Sequence, residues 1–198
     1  MTAASRASFA VPVDELTLAR ARAGDEAALE ALFRLFEAPV YTLARRLTGS
    51  VHDAEDVLQE TFVEVVRSIR RFRGDGPLAG WIRKIAASKA LMRLRRRRAH
   101  GEEELPDDLL DPGWASPGGA GAPAVATAAD RVDLEGALAR LSDAARAVVW
   151  LHDVEGYNHD EIAALAGKTA SFSKSQLARA HARLRDLLAP EVREGPCT

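Results

Sequence analysis

Asn158-His159-Asp160-Glu161-Ile162-Ala163-Ala164-Leu165-Ala166-Gly167 reads as a short helix with both ends marked. Asn158 is a strong N-cap residue, and Glu161 stands three positions on, where its carboxylate reaches back to the cap N–H. Ile162 and Leu165 share the inward face, and Gly167 ends the helix. After a turn from Lys168 to Ser171, a longer helix is expected with Leu177, Ala180, Leu184 and Leu187 inward. Lys174, Ser175, Gln176, Arg179 and Arg183 fall on its other faces. Short helix, glycine-containing turn and longer basic helix together make the pattern of a helix-turn-helix. Lys174, Ser175 and Gln176 can reach base edges, while Arg179 and Arg183 suit phosphates or purines. Ser171 and Phe172 in and beside the turn are further DNA-facing candidates, and His159 at the helix start reads as a phosphate contact. Charge at helical spacing alone would equally suit a helical hairpin with a solvated basic face. The cap, the turn and the hydrophobic helix before them favour DNA.

The same periodicity runs upstream. Val132, Leu134, Leu138 and Leu141 are expected inward on one helix; Ser142 caps the next, Val148, Val149 and Leu151 line it, and Gly156 ends it. Further back, Leu29, Leu32, Phe33, Phe36, Val40, Leu43, Ala44 and Leu47 recur at three- and four-residue steps, with Pro39 expected to kink their helix. Thr48-Gly49-Ser50 breaks that pattern, and Ser50 with Asp53 three residues on is close to a capping box. The helix so opened carries Val57, Leu58, Thr61, Phe62, Val65 and Ile69 inward. Arg73-Gly74-Asp75-Gly76-Pro77 is a turn, with Pro77 suited to the first position of a third helix. That helix has Leu78, Trp81, Ile82, Ile85 and Met92 as its apolar face. Strand-like alternation of useful length is absent, so the fold expected is all-α.

Charge is segregated along the chain, which makes the net value of −2 a poor guide to partners. Arg67 to Arg98 holds twelve Lys or Arg and one acid, Asp75. Ala99 to Asp130 holds seven acids (Glu102, Glu103, Glu104, Asp107, Asp108, Asp111 and Asp130) and no Lys or Arg. Pro106, Pro112, Pro117 and Pro123, with Gly113, Gly118, Gly119 and Gly121, make that stretch a linker that cannot bury a core, Trp114 being a large apolar residue in a polar stretch. The reading is thus two small helical domains joined by an acidic, Pro/Gly-rich flexible linker.

Other classes fall away. No run approaches the roughly 18 apolar residues of a membrane span, and MTAASRASFAVPVDEL lacks a continuous apolar region, so neither insertion nor a cleaved signal is expected. Cys197, the only cysteine, excludes an intrachain disulfide and a multi-thiolate zinc site, and fits a reducing cytoplasm. The five histidines (His52, His100, His152, His159 and His181) are scattered, and His152-Asp153 are helical neighbours whose side chains point apart. With no HExxH, phosphate loop or nucleophile elbow, neither catalysis, metal nor cofactor is expected.

These segments resemble the two conserved regions of extracytoplasmic-function (ECF) sigma factors of bacterial RNA polymerase, over most of residues 24–98 and 132–188. Asp53-Ala54-Glu55-Asp56-Val57-Leu58-Gln59-Glu60-Thr61-Phe62 resembles the segment that docks on the β′ clamp helices of core polymerase. The resemblance makes Asp53, Glu55, Asp56, Gln59 and Glu60 the polymerase contacts. Arg71-Phe72-Arg73-Gly74-Asp75-Gly76 followed by Trp81-Ile82-Arg83-Lys84-Ile85-Ala86 resembles the part that melts and reads the −10 element. It implies roles in −10 binding for Arg71, Arg73, Trp81, Lys84, Ser88, Lys89, Arg93, Arg95 and Arg96. Basic residues beside Trp81 and Phe72 suit single-stranded DNA, although Trp81 reads equally as core packing. Glu155-Gly156, Asp160-Glu161-Ile162-Ala163 and Lys174-Ser175-Gln176-Leu177-Ala178-Arg179-Ala180 resemble the helix-turn-helix that reads the −35 element.

The chain departs from the family at Ser88 and Met92, where Asn and Asp are frequent, and at Lys168 and Ser173, where small aliphatic residues are usual. These departures bear on promoter preference. The expected layout is an N-terminal segment (1–23), a domain for core polymerase and the −10 element (24–98), the linker (99–130), a −35 domain (131–189) and a tail (190–198). The resemblance further implies contact with the polymerase β flap, promoter DNA and an anti-sigma factor. The alternative is a helix-turn-helix regulator that does not touch polymerase.

Overall fold

Polar caps set where the helices of the N-terminal half begin. Asp14 accepts from the Thr17 N–H (2.8 Å) and opens α1 (Glu15–Ala23), and Asp25 accepts from the Ala28 N–H (2.9 Å) and opens α2 (Glu26–Thr48). Ser50 accepts from the Asp53 N–H (3.3 Å) and opens α3 (Val51–Ser68), which passes through a 3₁₀ turn, Ile69–Arg71, towards α4 (Leu78–Ala99). The computed structural model describes residues 9–99 and 128–188, with side chains from Leu134 onward in the second stretch. The chain divides into two compact units, one holding α1–α4 and the other most of the residues from Glu104 onward.

The segment 1–23 contains a helix, α1, which packs on α2. Between them Gly24 has φ +91°, and the Arg70 guanidinium lies 2.9 Å from where a Cβ would stand, so a side chain there is strained and crowded. Pro39 is buried inside α2, which continues through it. Pro77 stands just before α4, its carbonyl accepting from the N–H groups of Gly80 (3.0 Å) and Trp81 (3.3 Å). The core is Leu32, Phe36, Val40, Leu43 and Leu47 of α2 against Val57, Val65, Ile69 and Ile82. Each such side chain contributes about 1.5–3 kcal/mol by leaving water. Trp81, Ile85 and Met92 are only half-buried; α4 turns Ala79, Ile82, Ala86, Ala87, Ala90, Leu91 and Leu94 inward instead. Small alanines let its backbone come close to α2 and α3, both of which it contacts.

Among the described residues the second unit opens with α5 (Ala128–Ala139). Leu134 is 42% exposed, while Ala137 and Leu141 take the inward positions. Ser142 accepts from the Ala145 N–H (3.4 Å) to open α6 (Asp143–Val149), which runs on into a π-helical turn, Trp150–Val154. Beyond it lie α7 (His159–Ala166) and α8 (Ala170–Leu188), the latter capped by the Thr169 hydroxyl on the Phe172 N–H (3.1 Å). Leu141, Val148, Leu151, Ile162, Leu177, Ala180 and Leu184 form this core. Readings that concern the linker acids, Trp114, the Val132 side chain and the tail with Cys197 lie outside the described residues.

Candidate polymerase and nucleic-acid interfaces

The capping box at Asn158 closes as its spacing requires. The Glu161 N–H donates to Asn158 Oδ1 (2.9 Å), and the Asn158 N–H donates to Glu161 Oε2 (2.8 Å). Gly167 ends α7 in the left-handed region with φ +61°. Asn158→Ala is expected to lower stability by about 1 kcal/mol, measured as a shift in the urea midpoint. No shift would mean that solvent caps α7 equally well.

On α8, Ser171, Lys174, Ser175, Arg179 and Arg183 are exposed, while Ser173, Leu177, Ala180 and Leu184 are buried. The two sets occupy opposite arcs of one helix. Gln176 belongs to the buried arc, only 4% exposed, and lies against the core. Phe172 is half-buried with the Lys168 ammonium 5.5 Å from its ring centroid. His159 is half-buried, its ring stacked on His152 at 4.7 Å, with Nδ1 3.0 Å from Ser173 Oγ. Desolvation, then the neighbouring His152 and Lys174, hold its pKa below the ordinary 6.5 despite opposition from Asp160 and Asp153. A histidine kept neutral is a weak anchor for phosphate.

The acidic patch of α3 separates into two faces. Asp53, Asp56, Glu60 and Glu64 succeed one another at three- and four-residue steps and form a stripe towards α4. Asp53, 6% exposed, receives Arg93 Nε on Oδ1 (2.7 Å) and Arg97 Nη1 on Oδ2 (3.0 Å). Arg93 Nη2 lies 2.8 Å from Asp56, Arg96 reaches Glu60 at 3.8 Å, and Lys89 reaches Glu64 at 3.7 Å. The Asp53 hydrogen bond is the largest cause raising the Arg93 pKa, so that guanidinium stays charged. Asp53 is therefore an internal ion-pair partner. Glu55 and Gln59 remain on the exposed arc, joined by Val63 and Val66, which the sequence reading did not name. Their signal was available: they fall opposite the inward series Val57, Thr61 and Val65.

The −10 candidates separate in the same way. Trp81, Lys84, Ser88 and Arg95 recur at three-, four- and seven-residue steps along the outward stripe of α4, Lys84 and Arg95 exposed and the other two half-buried. The Trp81 ring packs 5.3 Å from that of buried Phe72, so it has a packed side and a solvent side. Arg71 and Arg73 are exposed in the segment before α4. Lys89, Arg93 and Arg96 line the edge facing α3, in the pairs just given.

Two helical units, the second a helix-turn-helix with a basic outer arc, define a transcription factor of the sigma-70 type. Residues 32–100 match the family described as Sigma-70 region 2, and residues 131–184 that described as Sigma-70, region 4. The chain is 36% identical over 176 residues to the ECF RNA polymerase sigma factor SigE of Mycolicibacterium smegmatis, covering 86% of this chain and 66% of that protein. It is 34% identical over 182 residues to the ECF RNA polymerase sigma factor SigM of Mycobacterium tuberculosis, covering 88% and 84%. Among solved structures it is similar to CnrH in complex with the cytosolic domain of CnrY, at 25% identity and a TM-score of 0.51, covering 88% and 96%. The chain belongs to the ECF RNA polymerase sigma factors, alternative sigma factors that direct RNA polymerase in transcription initiation. Among the described residues no helix is long and apolar enough to cross a membrane.

Proposed function

We propose that the first unit docks on the β′ clamp helices of core polymerase through the outer arc of α3, with Glu55 and Gln59 as its polar contacts and Val63 and Val66 beside them. The outward stripe of α4 (Trp81, Lys84, Ser88 and Arg95), with Arg71 and Arg73, meets the −10 element. In the second unit the exposed arc of α8 (Lys174, Ser175, Arg179 and Arg183) reads the −35 element, with the β flap as that unit's polymerase partner. Catalysis belongs to the polymerase, and the chain works in the cytoplasm. The similarity to CnrH, solved with the cytosolic domain of CnrY bound, supports an anti-sigma factor as a further partner. One observation carries the reading: the arc of α8 that carries Lys174, Ser175, Arg179 and Arg183 is exposed while the opposite arc is core.

The docking face is tested with Glu55→Lys combined with Gln59→Lys. Reversing charge at a complementary interface costs several kcal/mol, so core-polymerase affinity is expected to fall at least about 100-fold, with the melting temperature unchanged because both side chains are exposed. Wild-type affinity for core polymerase would remove α3 from the interface.

A further inference from the structure

Five side chains outside the proposed DNA-facing arc form one connected chain across the second unit. The π-helical turn Trp150–Val154 carries His152 and Asp153. Against the expectation that these neighbours point apart, one oxygen of Asp153 lies 2.7 Å from His152 Nδ1, and the other lies 2.7 Å from His181 Nε2 on α8. A carboxylate only accepts, so both imidazole N–H groups donate to it. The His152 ring stacks on His159 of α7 (4.7 Å between centroids, 22° between planes), and His159 Nδ1 meets the hydroxyl of Ser173 at 3.0 Å. Ser173 is fully buried, so losing that partner leaves a polar group unsatisfied in the core.

The chain grips α8 twice, at Ser173 and at His181, about 12 Å apart along the axis. Lys174, Ser175 and Arg179 lie between the two grips and are exposed. A helix held at one point can roll or slide; one held at two keeps its side chains at fixed heights over a groove. Base-edge contacts need that constancy, because a hydrogen bond weakens steeply as its angle falls. Phosphate contacts tolerate more, since they do not depend on sequence.

We infer that His159, through Ser173, and His181, through Asp153, are positioning residues that set the sequence selectivity of α8 without touching DNA. The inference rests on α8 being the reading helix. The groups facing His159 are His152 and Asp153 from the π-turn, Lys174 and Ser173 from α8, and Asp160 on its own helix. Its lowered pKa means that its contribution is complete above pH 6.5 and is lost as the pH falls from there through the lowered value. Acid thus adds a cation beside Lys174 and His152; Nδ1–H can then only donate to the Ser173 hydroxyl, and repulsion from Lys174 works against that contact. Non-specific attraction to DNA strengthens at the same time, so selectivity falls on both counts.

The test uses the full chain, a duplex that the wild-type chain selects from a random pool, and a scrambled duplex. For His159→Ala the ratio of selected to scrambled affinity is expected to fall about tenfold, the scale of one weakened base contact. His159→Asn places an amide where Nδ1 stood and cannot titrate; it should keep the ratio and remove its decline between pH 7.5 and 5.5. Ser173→Ala should match His159→Ala, and provides the same test should His159→Ala fail to fold. An equal loss on both duplexes would make His159 a phosphate contact and overturn the inference. So would an unchanged ratio in both alanine variants. Arg179→Ala is run alongside: if it weakens neither duplex, α8 is not the reading helix and the inference fails at that step instead.

Discussion

Asp53→Lys is expected to destabilise the first unit by about 3 kcal/mol, the low end of the range for breaking a buried ion pair, because both arginines are half-buried and Arg93 keeps Asp56. The substitution removes a carboxylate that holds both Arg93 and Arg97 and puts a third cation among them. A solvated docking residue at the same place would change stability by no more than about 1 kcal/mol. The two accounts therefore differ by a margin that urea denaturation resolves easily. Asp56→Lys is the internal comparison: its carboxylate is half-buried and lies 2.8 Å from Arg93, so the loss should be smaller. An Asp53→Lys midpoint matching wild type would return Asp53 to the surface. A loss of polymerase binding in that variant has to be judged against its folded fraction, because the interface and the ion pair sit on the same helix.

Arg179→Ala is expected to cost about 1–3 kcal/mol in affinity for the −35 element if the guanidinium holds a guanine, and to relax sequence preference at one base pair. The side chain is exposed on the outer arc of α8, so the fold should not register the change. The decisive comparison is among sequences. A loss confined to one base position identifies base reading, whereas a uniform loss with a shallower salt dependence identifies a phosphate contact.

The caps were legible in the sequence. Ser50, Ser142 and Asn158 open helices where their spacing to downstream residues said they would, because a cap is a local hydrogen bond between near neighbours. Helix α1 escaped, although Asp14 and Gly24 mark its ends, because its apolar residues are few and Leu16 is exposed. The inner face of α4 escaped because alanines carry little periodic signal. The burial of Gln176 escaped because a polar residue near a helix start suggests a base contact, whereas its position on the wheel lies with Ser173, Leu177 and Ala180. The ion pairs between α3 and α4 were beyond reach. Asp53 and Arg93 are 40 residues apart, and periodicity gives a helix its faces without saying which neighbour each will meet.

Run-off transcription with purified core polymerase on a library of genomic promoter fragments tests the central claim most directly. The account predicts transcripts from a subset of fragments that share two elements at constant spacing, lost when Glu55 and Gln59 are both changed to Lys. Absence of any specific transcript, from a folded chain that still binds the duplex it selects, would contradict it and leave a DNA-binding regulator that works without polymerase.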